Sequence, residues 1–254
     1  NNKSTYYPII IGSNITSSFS NILKKYQFKF TRYLFVIDKN VPKKLVKTIN
    51  KSINKNKKKI YFFKATEKNK NQKNVNEILK ILLNENYSRE DCLVAVGGGI
   101  TGDVTAFAAS TFKRGINFIN IPTTLLAQVD SSIGGKTGVN SIEGKNLIGT
   151  FYQPDFVITD VSILKTLPQR EMVCGYGEIL KHSLILDKKF FNWLNKNGKQ
   201  IILKRNKNFL KKAIMRSCKI KCNVVKKDEK EKNLRKILNF GHTFAHAIEV
   251  KNNY

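Results

Sequence analysis

Along this chain, short apolar runs alternate with segments whose apolar residues have helical spacing. Apolar runs bounded by turn residues predict strands at residues 6–11, 33–38, 60–64, 92–96 and 117–122. The segments between them predict helices at residues 15–26, 44–52, 75–84 and 103–112. This alternation predicts a mostly parallel sheet with helices on both faces.

Beyond Thr166 the strands stop, and residues 175–186, 190–197 and 208–227 show helical periodicity alone. The fold class predicted is therefore α/β + α, with a boundary near Leu167 and Pro168. A Rossmann-like nucleotide-binding domain is expected at residues 1–167, and a helical domain at residues 168–254.

Composition narrows the class of protein only partly. The chain has 254 residues, of which 41% are hydrophobic, enough for a substantial core. No apolar run reaches the roughly 18 residues of a membrane span, and the start has no signal-peptide pattern. Four scattered cysteines are typical of reduced thiols, so we expect a cytoplasmic protein without a membrane partner.

The formal net charge of +28 raises the question of a nucleic-acid partner. Lysine outnumbers arginine and occurs together with asparagine, as in KSINKNKKK, which is typical of compositional bias. The lysines are spread along the chain, and no motif for stacking bases is present. We therefore expect no specific nucleic-acid partner, while a basic nucleic-acid-binding protein stays open as an alternative.

The stretch VAVGGGITGD, residues 94–103, combines a predicted strand, three consecutive glycines and the start of a predicted helix. Glycine lets backbone N–H groups approach an anion, and a helix N-terminus attracts negative charge. Tight strand-to-helix turns also use glycine for packing, so this signal is weak alone. Asp38, which ends an earlier predicted strand, could accept hydrogen bonds from a ribose and thereby favours NAD.

Two further features indicate chemistry. Residues 122–149 form a long, polar, glycine-rich segment, and such loops are usually functional. Glu178, Lys181 and His182 share one helix face, as do His242 and His246. A carboxylate with one or two imidazoles suits a zinc site that is open to substrate.

Five segments carry a family resemblance: VAVGGGITGDVTAFAASTFKRG, IPTTLLAQVDSSIGGKTGVN, GKNLIGTFYQP, LKTLPQRE and LNFGHTFAHAIE. They resemble 3-dehydroquinate synthases, and the likeness is dense from Cys92 to Glu249. The family fold has an α/β nucleotide-binding domain and a helical domain, with the active site between them. This agrees with the boundary predicted from periodicity.

The resemblance implies a lyase of the shikimate pathway that leads to aromatic amino acids. The family converts a sugar phosphate, 3-deoxy-D-arabino-heptulosonate 7-phosphate, to 3-dehydroquinate and phosphate. It uses NAD, which is regenerated in each turnover, and a divalent metal, usually zinc, with cobalt as another candidate. A homodimer is expected.

Residue roles follow from the same resemblance. The residues implied for NAD are Asp38, Lys39, Asn40, Glu67, Lys70, Gly99, Ile100, Gly102, Asp103, Thr123, Thr124, Lys145, Ile163, Leu164, Lys165 and Thr166. Those implied for catalysis are Asp130, Lys136, Lys181, Glu231 and His246, and those for substrate are Arg114, Asn146, Lys221, Arg235 and Asn239. The implied metal ligands are Glu178 and His242.

Three departures from the family pattern affect these expectations. The family's DGEQYK is ATEKNK here, at residues 65–70, and its GLAEVIK is GYGEILK, with Gly177 weakening the helix. The family's third metal ligand, a histidine, would follow Tyr254, so the chain is expected to be incomplete at its C-terminus and to bind zinc poorly. A related sugar phosphate cyclase, or a polyol dehydrogenase that releases NADH, stays open as an alternative.

Overall fold

The structure is a computed structural model that describes residues 7–251, except for the side chains of residues 246, 247 and 249–251. Its strands are β1 Ile9–Gly12, β2 Tyr33–Asp38, β3 Lys58–Phe63, β4 Cys92–Gly97, β5 Asn117–Pro122, β6 Lys136–Val139, β7 Ile148–Phe151 and β8 Phe156–Asp160. Its α-helices are α1 Phe19–Lys25, α2 Lys43–Lys51, α3 Gln72–Asn84, α4 Gly99–Thr111, α5 Gln169–Leu186, α6 Lys188–Ile202, α7 Lys207–Lys227 and α8 His242–Lys251.

Six parallel strands form the main sheet in the order β1-β8-β5-β4-β2-β3. The chain runs outward from β2 to β3, returns across β2 to β4, and then continues in the opposite direction to β5. Strand order therefore reverses between β2 and β4, and their carboxyl ends leave a crevice where ligands bind in open α/β sheets. Asp38 and Gly97 end these two strands.

Two apolar clusters cover the two faces of this sheet, and a third lies under the helices of the second half. The third cluster joins buried residues of α5, α6 and α7 to Leu125 and Val129, with Ile9 and Ile11 of β1 packed against it. The helical part is thus packed against β1 and against the segments that follow β5 and β8. No helix within residues 7–251 is both long and apolar enough to cross a membrane.

Most predicted elements occur, with three differences. The helix predicted at residues 15–26 is a 3-10 turn, Ile15–Ser18, followed by α1. This turn is held by Asp160 at the end of β8, whose carboxylate accepts hydrogen bonds from the backbone N–H groups of Asn14 and Thr16. Such a contact between distant segments leaves no periodic signal near residue 15.

The second and third differences are strands that the sequence pattern did not predict. β6 and β7 form a short antiparallel hairpin inside the long polar segment, and β8 is a buried strand beside β5. The hairpin strands have only four residues each and contain glycine and threonine, so their pattern resembles a loop. The boundary predicted at residue 167 falls between β8 and α5 and stays a prediction.

Candidate active site

A cleft of about 790 Å³ opens at the carboxyl ends of β2 and β4. Eleven of the residues implied for NAD line it: Asp38, Asn40, Glu67, Lys70, Gly99, Ile100, Asp103, Thr123, Thr124, Ile163 and Thr166. Asp130, implied for catalysis, lines the same cleft. The cleft therefore joins the predicted cofactor residues to one residue of the predicted catalytic set.

The three consecutive glycines lie where side chains would collide with neighbouring segments. A Cβ on Gly97 would lie 2.5 Å from Oγ1 of Thr101 and 3.1 Å from Cβ of Asp38. A Cβ on Gly98 would approach Thr124 to 3.3 Å, and one on Gly99 would approach Ser131 to 3.2 Å. Packing thus explains Gly97, while Gly98 and Gly99 keep backbone exposed at the cleft.

The start of α4 is suited to an anion. Its N-cap, Gly98, has no side chain that could satisfy the first N–H groups of the helix, and Gly98, Gly99 and Ile100 all line the cleft. These N–H groups carry the positive end of the helix dipole. A phosphate group of a nucleotide fits this position.

Asp38 ends β2 beside Gly97 and lines the same cleft as the start of α4. Its Oδ1 accepts a hydrogen bond from the backbone N–H of Asn40 at 3.0 Å. Burial raises the pKa of Asp38, and the N–H groups of Asn40 and Ala65 partly oppose this rise. The carboxylate therefore has acceptor capacity for a hydroxyl group of a ligand in the cleft.

Lys70 and Asp103 form an ion pair in the cleft wall, with 2.6 Å between Nζ and Oδ2. Burial raises the pKa of Asp103 to about 6, and the Lys70 ammonium limits this rise. Nζ of Lys70 also donates to Oδ1 of Asn146 at 2.5 Å. Asn146, which the resemblance implies for substrate, is thus found beside a cofactor-side lysine.

Five of the residues implied for NAD do not line the cleft: Lys39, Gly102, Lys145, Leu164 and Lys165. Leu164 is fully buried in the third apolar cluster, because it lies one turn of a 3-10 helix after the buried Val161 and shares its inward face. Gly102 packs against Asn120, since a Cβ there would lie 3.1 Å from Nδ2 of Asn120. Lys39, Lys145 and Lys165 have exposed side chains.

Arg114, implied for substrate, also lies away from the cleft. It is exposed and follows α4, which runs from the carboxyl end of β4 back toward the amino end of β5. Arg114 is therefore found at the amino ends of the strands, whereas the cleft opens at their carboxyl ends. Within one chain, Arg114 is too distant to contact a ligand bound with Asp130.

On the helical side, a π-helix at Ala127–Ser131 presents Asp130. Such wide turns occur often at functional sites. Nζ of Lys221 donates to the backbone oxygen of Asp130 at 2.7 Å and forms an ion pair with its carboxylate. Burial would raise the pKa of Asp130, but the Lys221 ammonium together with His182 and Lys181 opposes this effect and holds the pKa below its usual range.

Lys136 and Arg235 add two cations to the same region. Lys136 pairs with Glu231, whose Oε1 accepts from Nδ2 of Asn239 at 2.9 Å. Burial, followed by the charges of Arg235 and Lys221, lowers the pKa of Lys136 to about 8. Arg235 is 3% exposed, and its guanidinium donates to the backbone oxygen of Gly134 at 3.0 Å.

Glu178 is the centre of a polar cluster on α5. Its Oε1 lies 2.9 Å from Nζ of Lys181 and 3.0 Å from Nε2 of His182. The other ring nitrogen of the fully buried His182, Nδ1, lies 2.7 Å from Oγ of Ser217 on α7. Helical spacing alone groups the three α5 residues, whereas Ser217 gave no signal in the sequence.

The ligand atoms of Asp130, Glu178 and His182 lie within 4.8 Å of one another, which is the one such group of three found among the described residues. Oε1 of Glu178 and Nε2 of His182 are buried and lack a hydrogen bond of acceptable geometry there, despite their short separation. Buried polar atoms without a partner are rare. A divalent cation such as zinc or cobalt, which binds carboxylate and imidazole, fits this group.

The two metal ligands implied by the resemblance have different outcomes. Glu178 belongs to this group of three, but His242, half-buried at the first position of α8, does not. The assignment of His242 to the metal therefore stays a prediction. His246 follows on α8, and its side chain lies outside the described residues.

The amino-acid sequence of this chain is similar to those of known proteins. Residues 60–174 match the family model described as 3-dehydroquinate synthase N-terminal, and residues 175–254 match the one described as 3-dehydroquinate synthase C-terminal. A 3-dehydroquinate synthase of Pelagibacter ubique is 61% identical over 254 residues, which are 100% of this chain and 69% of that protein.

Two solved structures that share this fold have NAD+ and a divalent metal bound. The 2-epi-5-epi-valiolone synthase of Streptomyces hygroscopicus subsp. jinggangensis, with NAD+ and Zn2+ bound, has a TM-score of 0.87 and 25% identity, covering 98% of this chain and 69% of that one. A 2-deoxy-scyllo-inosose synthase complexed with carbaglucose-6-phosphate, NAD+ and Co2+ has a TM-score of 0.83 and 28% identity, covering 96% and 66%. This chain spans about two thirds of the length of these three proteins.

The fold is that of the sugar phosphate cyclases, a class of enzymes. Within that class, the chain belongs to the 3-dehydroquinate synthase family. The family resemblance and the fold class predicted from the sequence are both confirmed. The roles of individual site residues stay predictions.

Proposed function

We propose that this chain supplies the nucleotide cleft and part of the metal site for the 3-dehydroquinate synthase reaction, which converts a heptulosonate phosphate to 3-dehydroquinate and phosphate. The observation that supports this most strongly is the position of Asp130. This residue lines the nucleotide cleft and also belongs to the group of potential metal ligands. A substrate bound beside Asp130 would therefore contact a hydride acceptor and a Lewis acid together.

NAD is proposed to occupy the cleft, with its phosphates at the start of α4 and a ribose hydroxyl donating to Asp38. The nicotinamide would lie toward Asp130. When bound, NAD supplies a reversible hydride acceptor, and zinc polarises the hydroxyl group that is oxidised. Glu178 would hold the metal with Asp130 beside it, and His182 would orient the carboxylate of Glu178.

The cations of the helical side are proposed to bind the anionic substrate. Lys136, Lys221 and Arg235 lie close enough that the charges of Arg235 and Lys221 lower the pKa of Lys136. Phosphate and carboxylate groups would neutralise this concentration of positive charge. With its pKa near 8, Lys136 can also exchange a proton close to neutral pH.

Three further expectations belong to this proposal and rest on the sequence. They are a cytoplasmic location, assembly as a homodimer, and the absence of a specific nucleic-acid or membrane partner. The domain boundary at residue 167 belongs with them. Size-exclusion chromatography with light scattering would test the dimer.

The reaction is tested with NAD+ and candidate sugar phosphates. NAD+ at a hundredfold excess over its Kd should stabilise the chain by about 2.7 kcal/mol, measured as a rise in melting temperature. Phosphate release is measured for this chain and for a chimera completed with the residues of the Pelagibacter ubique relative that it does not cover. The chimera should release phosphate without accumulating NADH, because the hydride returns to the substrate.

Other outcomes would contradict the proposal in distinct ways. Stoichiometric NADH release would indicate a polyol dehydrogenase. Phosphate release from a hexose phosphate, but not from the heptulosonate phosphate, would indicate a different sugar phosphate cyclase. Lack of any NAD+ binding by this chain would exclude the cofactor assignment itself.

A further inference from the structure

Asn140 follows β6 directly and joins the hairpin to the nucleotide cleft, although it does not line the cleft itself. Its backbone N–H donates to the backbone oxygen of Lys70 at 2.8 Å. Its side-chain Nδ2 donates to Oε2 of Glu67 at 2.9 Å and approaches the backbone oxygen of Glu67 at 3.3 Å. One residue thus holds both ends of the turn at residues 67–70.

The side-chain oxygen of Asn140 closes the loop that follows β6. Its Oδ1 accepts from the backbone N–H of Asn146 at 3.0 Å. Asn146 has φ 58°, a left-handed conformation that asparagine tolerates better than most residues. The loop at residues 140–146 is thereby closed so that Oδ1 of Asn146 meets Nζ of Lys70.

These hydrogen bonds connect Asn140 and Asn146 to residues of the cleft wall. Glu67 and Lys70 both line the cleft, and Lys70 pairs there with Asp103 on the first turns of α4. Glu67 and the loop are otherwise exposed, so little apolar packing fixes their positions. The side chain of Glu67 therefore depends on Asn140 for its hydrogen bond. Lys70 is buried and paired with Asp103, and Asn140 adds a bond to its backbone oxygen and, through Asn146, a bond to its Nζ.

We propose that Asn140 is a positioning residue for the cofactor, acting through Glu67 and Lys70 without touching the cofactor. This inference rests on the proposed binding of NAD in the cleft. No contact with NAD is required of Asn140, and its removal should change the affinity for NAD+ while leaving the fold intact.

The test compares Asn140→Ala with Asn76→Ala, a matched loss of one asparagine amide on the exposed face of α3. Isothermal titration calorimetry with NAD+ on the 254-residue chain should show a Kd about tenfold higher for Asn140→Ala and unchanged for Asn76→Ala. Melting temperatures without ligand should agree closely. Limited trypsin cleavage after Lys145 should be faster in Asn140→Ala only, because the loop at residues 140–146 is no longer closed.

A double-mutant cycle separates positioning from general loosening. In a Glu67→Ala background, Asn140→Ala should raise the Kd for NAD+ by less than threefold. Glu67 is one of the two residues through which Asn140 acts, and its side chain is already absent in this background. An equal tenfold loss in both backgrounds, or a Kd within twofold of the unaltered chain, would overturn the inference. If the unaltered chain fails to bind NAD+, the proposed function fails as well, whereas normal binding by both asparagine variants overturns this inference alone.

Discussion

The two sides of the active site are built from different kinds of interaction. On the sheet side, the cleft is formed by strand ends, glycines and the start of α4, with Lys70 and Asp103 as an ion pair in its wall. On the helical side, Lys181, Lys221 and Lys136 are each paired with a carboxylate. Backbone geometry thus shapes one side, and paired charges shape the other.

This difference indicates how each side responds to a ligand. Backbone N–H groups at a helix start have fixed positions and need no rearrangement to receive a phosphate. Paired ammonium groups exchange one carboxylate partner for another when an anionic substrate arrives. The phosphate position on the sheet side should therefore depend little on side chains, although Glu67 and Lys70 beside it depend on side-chain contacts. The helical side should be sensitive to the removal of single charges.

Lys136→Ala should lower activity more than any other change on the helical side. Lys136 lies at the start of the hairpin, and its ammonium pairs with Glu231. Burial and the charges of Arg235 and Lys221 lower its pKa, and an anionic substrate would offset the repulsion between these cations. We expect phosphate release by the completed chimera to fall roughly 10³-fold, with little change in melting temperature. Lys73→Ala on the exposed face of α3 is the control. Turnover at the unaltered rate would contradict the role given to Lys136.

Arg235→Ala should show that the paired charges also support the fold. Its buried guanidinium donates to the backbone oxygens of Gly134 and Glu229. Removing it leaves buried acceptors without donors, so we expect a loss of about 4 kcal/mol in the free energy of unfolding. Urea denaturation measures this, with the exposed Arg170→Ala as control. A loss equal to that of the control would mean that Arg235 acts only on substrate.

Asp103 is the charged exception on the sheet side and should give it a pH dependence. Its pKa is about 6 in the folded chain against a usual value of 3.8, so the folded state binds more protons between these pH values. The free energy of unfolding should therefore fall as pH rises from about 4 to 6 and then level off, by up to about 3 kcal/mol from this group.

Asp103→Asn isolates this contribution, since the amide cannot titrate. Urea denaturation of both proteins from pH 4 to 7 should give a stability difference that changes through this window. Parallel curves would show that the carboxyl group titrates near its usual pKa and that burial does not govern it.

His182 is a fully buried side chain on the helical side, and its replacement should have the smallest effect. It lies between Ser217 and Glu178 and would orient Glu178 toward a metal. His182→Gln and Ser217→Ala should each weaken zinc binding by the completed chimera about tenfold, measured by competition with a chelator, and leave the Kd for NAD+ unchanged. A much larger loss for His182→Gln alone would identify His182 as a direct ligand.

How far the sequence predicted the site depends on how each residue is held. Asp38 and Gly99 follow long, regular strands, so strand order and the rule for parallel sheets indicate a shared cleft. Asn140 and Ser217 act through contacts with distant segments, and neither has a periodic or local signal. Asn146 was implied for substrate but contacts Lys70, because a left-handed turn redirects it.

The sequence by itself determined the alternation of strands and helices, the family and the two sets of residues that carry chemistry. Those features depend on local spacing and on motifs that stay contiguous along the chain. The position of Arg114 also follows from the predicted helix before it and the predicted strand after it. The tertiary structure was needed to show that Asp130 lines the cleft while lying beside Glu178. Such placements follow from how helices and strands pack across more than 40 residues, and local spacing along the chain carries no record of that packing.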